Sequence, residues 1–167
     1  GGGSDLIFPH HFMSAQLIKA ATGREFAKFF VHTGMIGYEG EKMSKSKGNL
    51  VFVSKLLEEG IDPLVIRWAL LKDHYQADRE WSTDLLMQAS TEVELVRSAL
   101  SKSEVIDPSR CLADISQAIA NNLDTKAALE LIINWSVESL NDDKTSEFVN
   151  SAGLMSRGID ALLGLSF

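Results

Sequence analysis

The sequence predicts an α+β fold that is predominantly α-helical. Residues 1–60 mix glycine turns with short aromatic and β-branched runs. From residue 61 onward, four helix-start signals each open a stretch with apolar residues at helical spacing: Asp62-Pro63, Ser82, Asp107-Pro108 and Asp124-Thr125. With 167 residues, 45% hydrophobic and 23% charged, the chain can bury one good core or two small ones. The expected division is a small α/β piece over 1–60 and a helical region over 61–167.

Taken in order, residues 1–9 read as a glycine-rich loop running into Pro9; an isolated Gly-Gly-Gly-Ser is otherwise a flexible terminus. Met13, Leu17 and Ala21 predict a helix from His10 to Ala21, ended by Thr22-Gly23. The aromatic run from Phe26 to His32 predicts a buried strand over 28–32. Gly34 and Gly37 bracket Met35-Ile36, and Tyr38-Glu39-Gly40 turns into a basic loop. Val51-Phe52-Val53 reads as extended, with Ser54 capping a helical turn as far as Gly60. Asp62-Pro63 then starts a helix with Val65, Ile66, Ala69 and Leu70 on one face. Residues 74–82 read as a polar, aromatic connection. Ser82 caps a long helix carrying Leu85, Leu86, Ala89, Val93 and Val96. A linker over 101–108 leads to a helix with Leu112, Ile115 and Ile119, followed by one with Ala128, Leu131, Ile132 and Trp135. The stretch from Asn141 to Lys144 reads as a solvated loop. A last helix is expected from about Thr145 to Leu163, weakened by Gly153 and Gly158. The apolar helix stripes are best read as core.

Bulk composition narrows the function. No apolar run approaches the length that spans a bilayer, and no secretory signal is visible. The single cysteine, Cys111, cannot form an internal disulfide, which fits a reducing cytoplasm. Net charge is −7, and the acidic C-terminal half argues against a large nucleic-acid footprint. Basic residues gather in one place: Lys42, Lys45 and Lys47 fall within six residues, separated by Ser44 and Ser46 and closed by Gly48-Asn49. From charge alone this is a solvated loop suited to meeting a polyanion. It lacks the GxxxxGK[ST] spacing of a Walker loop.

The run Lys42-Met43-Ser44-Lys45-Ser46 resembles the KMSKS signature of class I aminoacyl-tRNA synthetases and related amino-acid-activating ligases. Gly1-Gly2-Gly3-Ser4-Asp5-Leu6-Ile7-Phe8-Pro9-His10-His11 resembles the GGGSDLxFPHH segment of the cysteine-activating members, in the same order and at similar spacing. The resemblance implies that residues 1–60 form the C-terminal part of a Rossmann-like catalytic domain, followed by a helical bundle. It implies that Lys42 and Lys45 stabilise charge on the leaving pyrophosphate, where preorganised ammonium groups count most. Lys45 matches the family's ATP-binding lysine, and Ser44 and Ser46 are placed to bond phosphate oxygens. Gly3, Ser4 and Asp5 match positions that cradle cysteinyl-adenylate. Ile36 matches an adenylate-contacting position, although plain packing explains it equally well.

His10 matches a zinc ligand whose two cysteine partners lie outside these residues. Zinc with an open position selects a thiolate substrate. Cys111, in a predicted helix outside the motif, is no candidate. Cysteinyl-tRNA synthetases carry a further zinc-ligating Glu where this chain has Ser14. Mycothiol-pathway cysteine ligases carry Ser there, and usually Glu where this chain has Phe12. The stretches 48–56, 62–71, 74–82, 121–135 and 159–165 are similar to the C-terminal region of those ligases. The chain ends about 120 residues past the signature, where cysteinyl-tRNA synthetases usually continue into a basic anticodon-binding domain. It opens inside a motif on Gly rather than Met, so a missing N-terminal half is expected.

The resemblance thus implies a cytoplasmic, ATP-dependent ligase that activates L-cysteine and transfers it to the amine of glucosaminyl-inositol. It is expected to be a monomer with one zinc in the intact enzyme, without tRNA as partner, and the isolated 167 residues are expected to be inactive. A truncated cysteinyl-tRNA synthetase is the alternative, separated by a tRNA-charging assay. A non-catalytic helical interaction module is the third reading, favoured if the intact protein exchanges no pyrophosphate into ATP with cysteine.

Overall fold

In the computed structural model, which describes residues 1–141 and 148–167, the Asp62, Ser82 and Asp124 side chains each cap a helix. Each carboxylate or hydroxyl accepts an otherwise unpaired first-turn N–H: Leu64 N at 2.8 Å, Leu85 N at 3.1 Å and Ala127 N at 3.0 Å. The fold is α+β and mostly helical, in two compact units. One comprises residues 1–50 and 75–81; the other comprises 51–74 and 82–167.

In the first unit, β1 (Gly2–Gly3) pairs in parallel with β2 (His32–Thr33), and α1 (Phe12–Thr22) follows a tight turn and a wide helical turn over 4–11. Gly23 ends α1 in a left-handed conformation, φ 68°. A second sheet has the order β4-β3-β5, built from β3 (Ile36–Tyr38), β4 (Glu41–Lys42) and β5 (Arg79–Trp81). Strands β3 and β4 form a hairpin whose turn, Glu39-Gly40, has both φ values positive, 56° and 75°. Strand β5 runs parallel to β3, pairing Ile36 with Arg79 and Tyr38 with Trp81.

Several sequence expectations fail here. Gly2 and Gly3 belong to a strand rather than a free loop. Pairing in the 28–32 run is confined to its end, where the Val31 carbonyl accepts from the Gly2 N–H at 3.0 Å and His32 begins β2, and the run is exposed: Phe29 keeps 84% of its surface. Aromatic content signals fitness for a pleated, half-covered surface, and no strand among the described residues covers this one. Likewise α1 buries none of its residues, so Met13 and Leu17 are not core. The connection over 74–82 contains strand β5, whose partner lies some 40 residues upstream and leaves no local signal.

The second unit holds α2 (Val53–Glu58), α3 (Pro63–Leu71), α4 (Thr83–Leu100), α5 (Ser109–Ala120), α6 (Thr125–Leu140) and α7 (Ala152–Leu163). Helix α2 begins one residue before Ser54, so Ser54 lies inside it and Val53 is not extended; Phe52 takes the cap position. The 101–108 linker contains β6 (Val105–Ile106), which pairs antiparallel with β7 (Phe148–Val149). Helix α7 starts at Ala152; expectations over 142–147 lie outside the described residues.

Trp68, Val93, Val96, Ile115, Ile132, Met155, Ile159 and Leu165 are fully enclosed and form the core. Polar atoms among them are satisfied. Trp68 Nε1 donates to Glu92 at 2.7 Å, with Lys72 pairing the same carboxylate. Trp135 Nε1 donates to the Ile106 carbonyl at 2.9 Å, and the Ile106 N–H donates to Ser139 Oγ at 3.2 Å. Arg67 donates twice to the Leu163 carbonyl, at 2.6 and 3.0 Å, closing the C-terminal end of α7. Gly158 also serves packing: a β-carbon there would lie 2.3 Å from a Leu112 methyl.

Candidate functional site

The candidate site lies in the first unit and grows from its glycines. A β-carbon on Gly3 would lie 2.6 Å from Asp5 Oδ1, and one on Gly2 would lie 2.6 Å from His11 Cε1. Side chains that a larger residue would push away therefore rest against bare backbone. The turn after β1 holds Asp5 there, and Lys42, at the end of β4, donates to Asp5 Oδ2 at 2.8 Å. The two sequence motifs, 37 residues apart, thus meet at one contact. Both side chains remain about half exposed, so water screens the pair. The Lys42 hydrogen bond, then its charge, hold the Asp5 carboxyl below the usual carboxylate range; the charge of His10 adds a smaller effect.

Beyond Lys42 the signature loop is braced from within. Ser44 Oγ accepts from the Lys47 N–H at 3.3 Å and lies 3.2 Å from Ser46 Oγ. Lys47 pairs with Glu41 at 2.7 Å. Lys45 is exposed and makes no ion pair among the described residues. An open cleft of about 410 Å³ beside the loop is lined by Tyr38, Glu39, Glu41, Lys47 and Asn49. Beneath the hairpin, Glu80 accepts from the Gly40 N–H at 3.3 Å, and Asp78 accepts from the Met35 N–H at 2.7 Å. Ile36 sits half-buried in β3.

Two histidines meet that sequence reasoning did not join. His11 Nδ1 and His32 Nε2 are 2.8 Å apart, one donating and the other accepting. They form one wall of a second open cleft, about 350 Å³, whose other walls include Ile7, Phe12 and Phe30. The parallel pairing of Gly2 with His32 brings them together, and no local sequence signal reports it. His10, expected to ligate zinc, is exposed. Among the described residues no three His, Cys, Asp or Glu side chains converge. Zinc needs three or four such ligands, so the residues present do not by themselves fit a zinc site.

No helix among the described residues is long and apolar enough to cross a membrane. Cys111 lies in the second unit, where burial first, then Asp114 and Glu138, push its thiol up to about 11.

An L-cysteine:1D-myo-inositol 2-amino-2-deoxy-alpha-D-glucopyranoside ligase of Rhodococcus jostii is 47% identical over 166 residues, 99% of this chain and 40% of the relative. Proteins of the same name from Streptomyces coelicolor and Mycobacterium sp. strain KMS are 45% and 46% identical over 167 residues, again 40% of each relative. The chain therefore spans about 40% of the length of these curated relatives. Among solved structures, a LeuRS from a LeuRS–tRNA–LeuAMS ternary complex of Agrobacterium radiobacter superposes with a TM-score of 0.69 at 16% identity. The match covers 98% of this chain and 25% of that one, a likeness of fold alone. The family described as tRNA synthetases class I (C) catalytic domain matches residues 1–91, the stretch that carries both motifs, the hairpin and strand β5. With more than half of its length matched, the chain belongs to that family.

Proposed function

We propose that these residues supply the signature-loop portion of an ATP-dependent ligase that activates L-cysteine and joins it to glucosaminyl-inositol; the relatives' name, a ligase of L-cysteine and that inositol amino sugar, supports the choice of the joined pair. The observation that carries the reading is the meeting of Asp5 and Lys42, which joins an adenylate-cradle motif to a pyrophosphate-stabilising one.

In the first step the cysteine carboxylate attacks the α-phosphorus of ATP. The bond to the bridging oxygen breaks, and pyrophosphate leaves with the electron pair. Lys42 and Lys45 place ammonium groups where that charge develops, with Ser44 and Ser46 offering hydroxyl donors to phosphate oxygens. Gly3 and Ser4 give the adenylate close backbone approach, Asp5 accepts from a hydroxyl or the substrate ammonium, and Ile36 packs against the nucleotide. In the second step the amino-sugar nitrogen attacks the acyl carbon, AMP departs and the nitrogen loses a proton. His10 would be one ligand to zinc, and the remaining ligands would have to come from outside these 167 residues. The acidic second unit supports a small-molecule acceptor over tRNA, since phosphate contacts need a basic face.

The test is cysteine-dependent ATP–pyrophosphate exchange on a protein of the relatives' length that contains these residues. Glucosaminyl-inositol and tRNA are then added separately. Exchange plus product from the amino sugar alone is expected. Charged tRNA without amino-sugar product would establish a cysteinyl-tRNA synthetase instead, and no exchange would defeat both readings. The 167 residues alone are expected to show no exchange.

A further inference from the structure

Asn49 stands at the far end of the signature loop and reaches back across its neck. Its Oδ1 accepts from the Ser44 N–H at 2.9 Å, and its Nδ2 donates to the Lys42 carbonyl at 3.3 Å. One planar amide thereby ties the first and third residues of the signature together. The task needs a donor and an acceptor in one short side chain, a combination that carboxylates and hydroxyls of that length do not offer in fixed positions. The backbone delivers Asn49 through Gly48, whose φ of 68° suits glycine. Gly48 N–H also closes onto the Lys45 carbonyl at 3.3 Å.

The partners of this amide are the two peptide groups that flank Met43, between Lys42 and Ser44, and neither belongs to the buried core. We propose that Asn49 is a positioning residue: it fixes the curvature of the loop so that Lys42 and Lys45 converge on one polyanion. Its two side-chain bonds run to the backbone of Lys42 and Ser44, and it acts through them. The inference rests on the functional reading above and extends it to a residue outside the lysines and serines. Preorganised cations gain their effect from not having to rearrange as charge develops. Loosening their frame therefore lowers turnover more than ATP affinity.

The test has two arms on the intact protein. In the first, trypsin cleavage after Lys45 and Lys47 reports loop opening without needing activity. Two lost hydrogen bonds predict cleavage about tenfold faster in Asn49→Ala. Cleavage at the wild-type rate overturns the brace. In the second, pyrophosphate exchange by Asn49→Ala is expected to show kcat down about tenfold and KM for ATP within about twofold. Asn49→Asp keeps the acceptor but sets a carboxylate oxygen against the Lys42 carbonyl, so its kcat is expected to fall as well. Wild-type kcat in either variant, or a rise in KM alone, overturns the positioning role. Absence of exchange in the wild-type protein defeats the functional reading instead, and the trypsin arm still decides whether Asn49 braces the loop.

Discussion

Replacing Gly34 with Ala tests whether the sheet beneath the signature loop depends on one bare backbone position. A β-carbon there would sit 2.1 Å from the Ala77 carbonyl oxygen and 2.7 Å from the Asp78 nitrogen, where ordinary contact begins near 3.4 Å. Both neighbours are main chain, so no rotamer relieves the clash. The strand connection must move instead, and three hydrogen bonds depend on its place: Gly34 N–H to Tyr75 O at 2.8 Å, Met35 N–H to Asp78 Oδ1 at 2.7 Å, and Arg79 N–H to Met35 O at 2.9 Å. At about 1 kcal/mol each, Gly34→Ala costs about 3 kcal/mol of local stability. Gly37→Ala is the control. Its β-carbon would meet the Glu80 carboxylate at 2.1 Å, but that is the end of a side chain that can swing away, losing chiefly the bond from Gly40 N–H. That substitution costs about 1 kcal/mol. Amide hydrogen exchange over Ile36–Tyr38 reads both: about 100-fold faster in Gly34→Ala and about fivefold in Gly37→Ala. Equal effects in the two variants, or Gly34→Ala within a factor of three of wild type, would refute the reasoning.

Gly158→Ala places a methyl 2.3 Å from Leu112; overpacking of about 1–3 kcal/mol outweighs the gain of about 1 kcal/mol from better helix propensity, so urea unfolding of the second unit is expected at lower concentration. Asp62 is held below its ordinary value of 3.8, first by its hydrogen bond from Arg97 and then by the Leu64 N–H. Its contribution is present above that value and is lost as pH falls through the lower folded-state value. Asp62→Asn is therefore expected to flatten part of the acid limb of a thermal-melt series, whereas an unchanged limb would assign the acid sensitivity to other carboxylates such as Asp107. With its thiol raised from 9.0 to about 11, Cys111 is expected to react with a disulfide reagent at pH 8 about 100-fold more slowly than a free cysteine, until urea exposes it.

The caps at Asp62, Ser82 and Asp124 were legible because cap and helix are neighbours in sequence, and the two motifs were legible because their wording is local. What escaped is what depends on distant partners. Strands β5, β6 and β7 are two or three residues long, and each is defined by a partner more than 35 residues away. The aromatic run at 26–30 shows the opposite error: strand-like composition that no strand among the described residues pairs with. In the site, the residue types at Asp5 and Lys42 could be read, but not their contact. His32 and Glu80 carry no motif weight, Asn49 reads only as the turn that closes the basic run, and only folded geometry shows what they hold.

Strand β5 has a further consequence. Residues 75–81 leave the helical unit, complete the sheet beside β3, and return at Ser82. The loop-bearing unit is thus two separate stretches of chain, and neither unit can be lifted out as one continuous piece. Grafting the signature loop onto another scaffold would require both stretches. During synthesis, β3 and β4 can close their hairpin as soon as they emerge. The parallel partner of β3 comes only after α3 has been made, so this sheet stays incomplete while the first helices of the neighbouring unit are already leaving the ribosome.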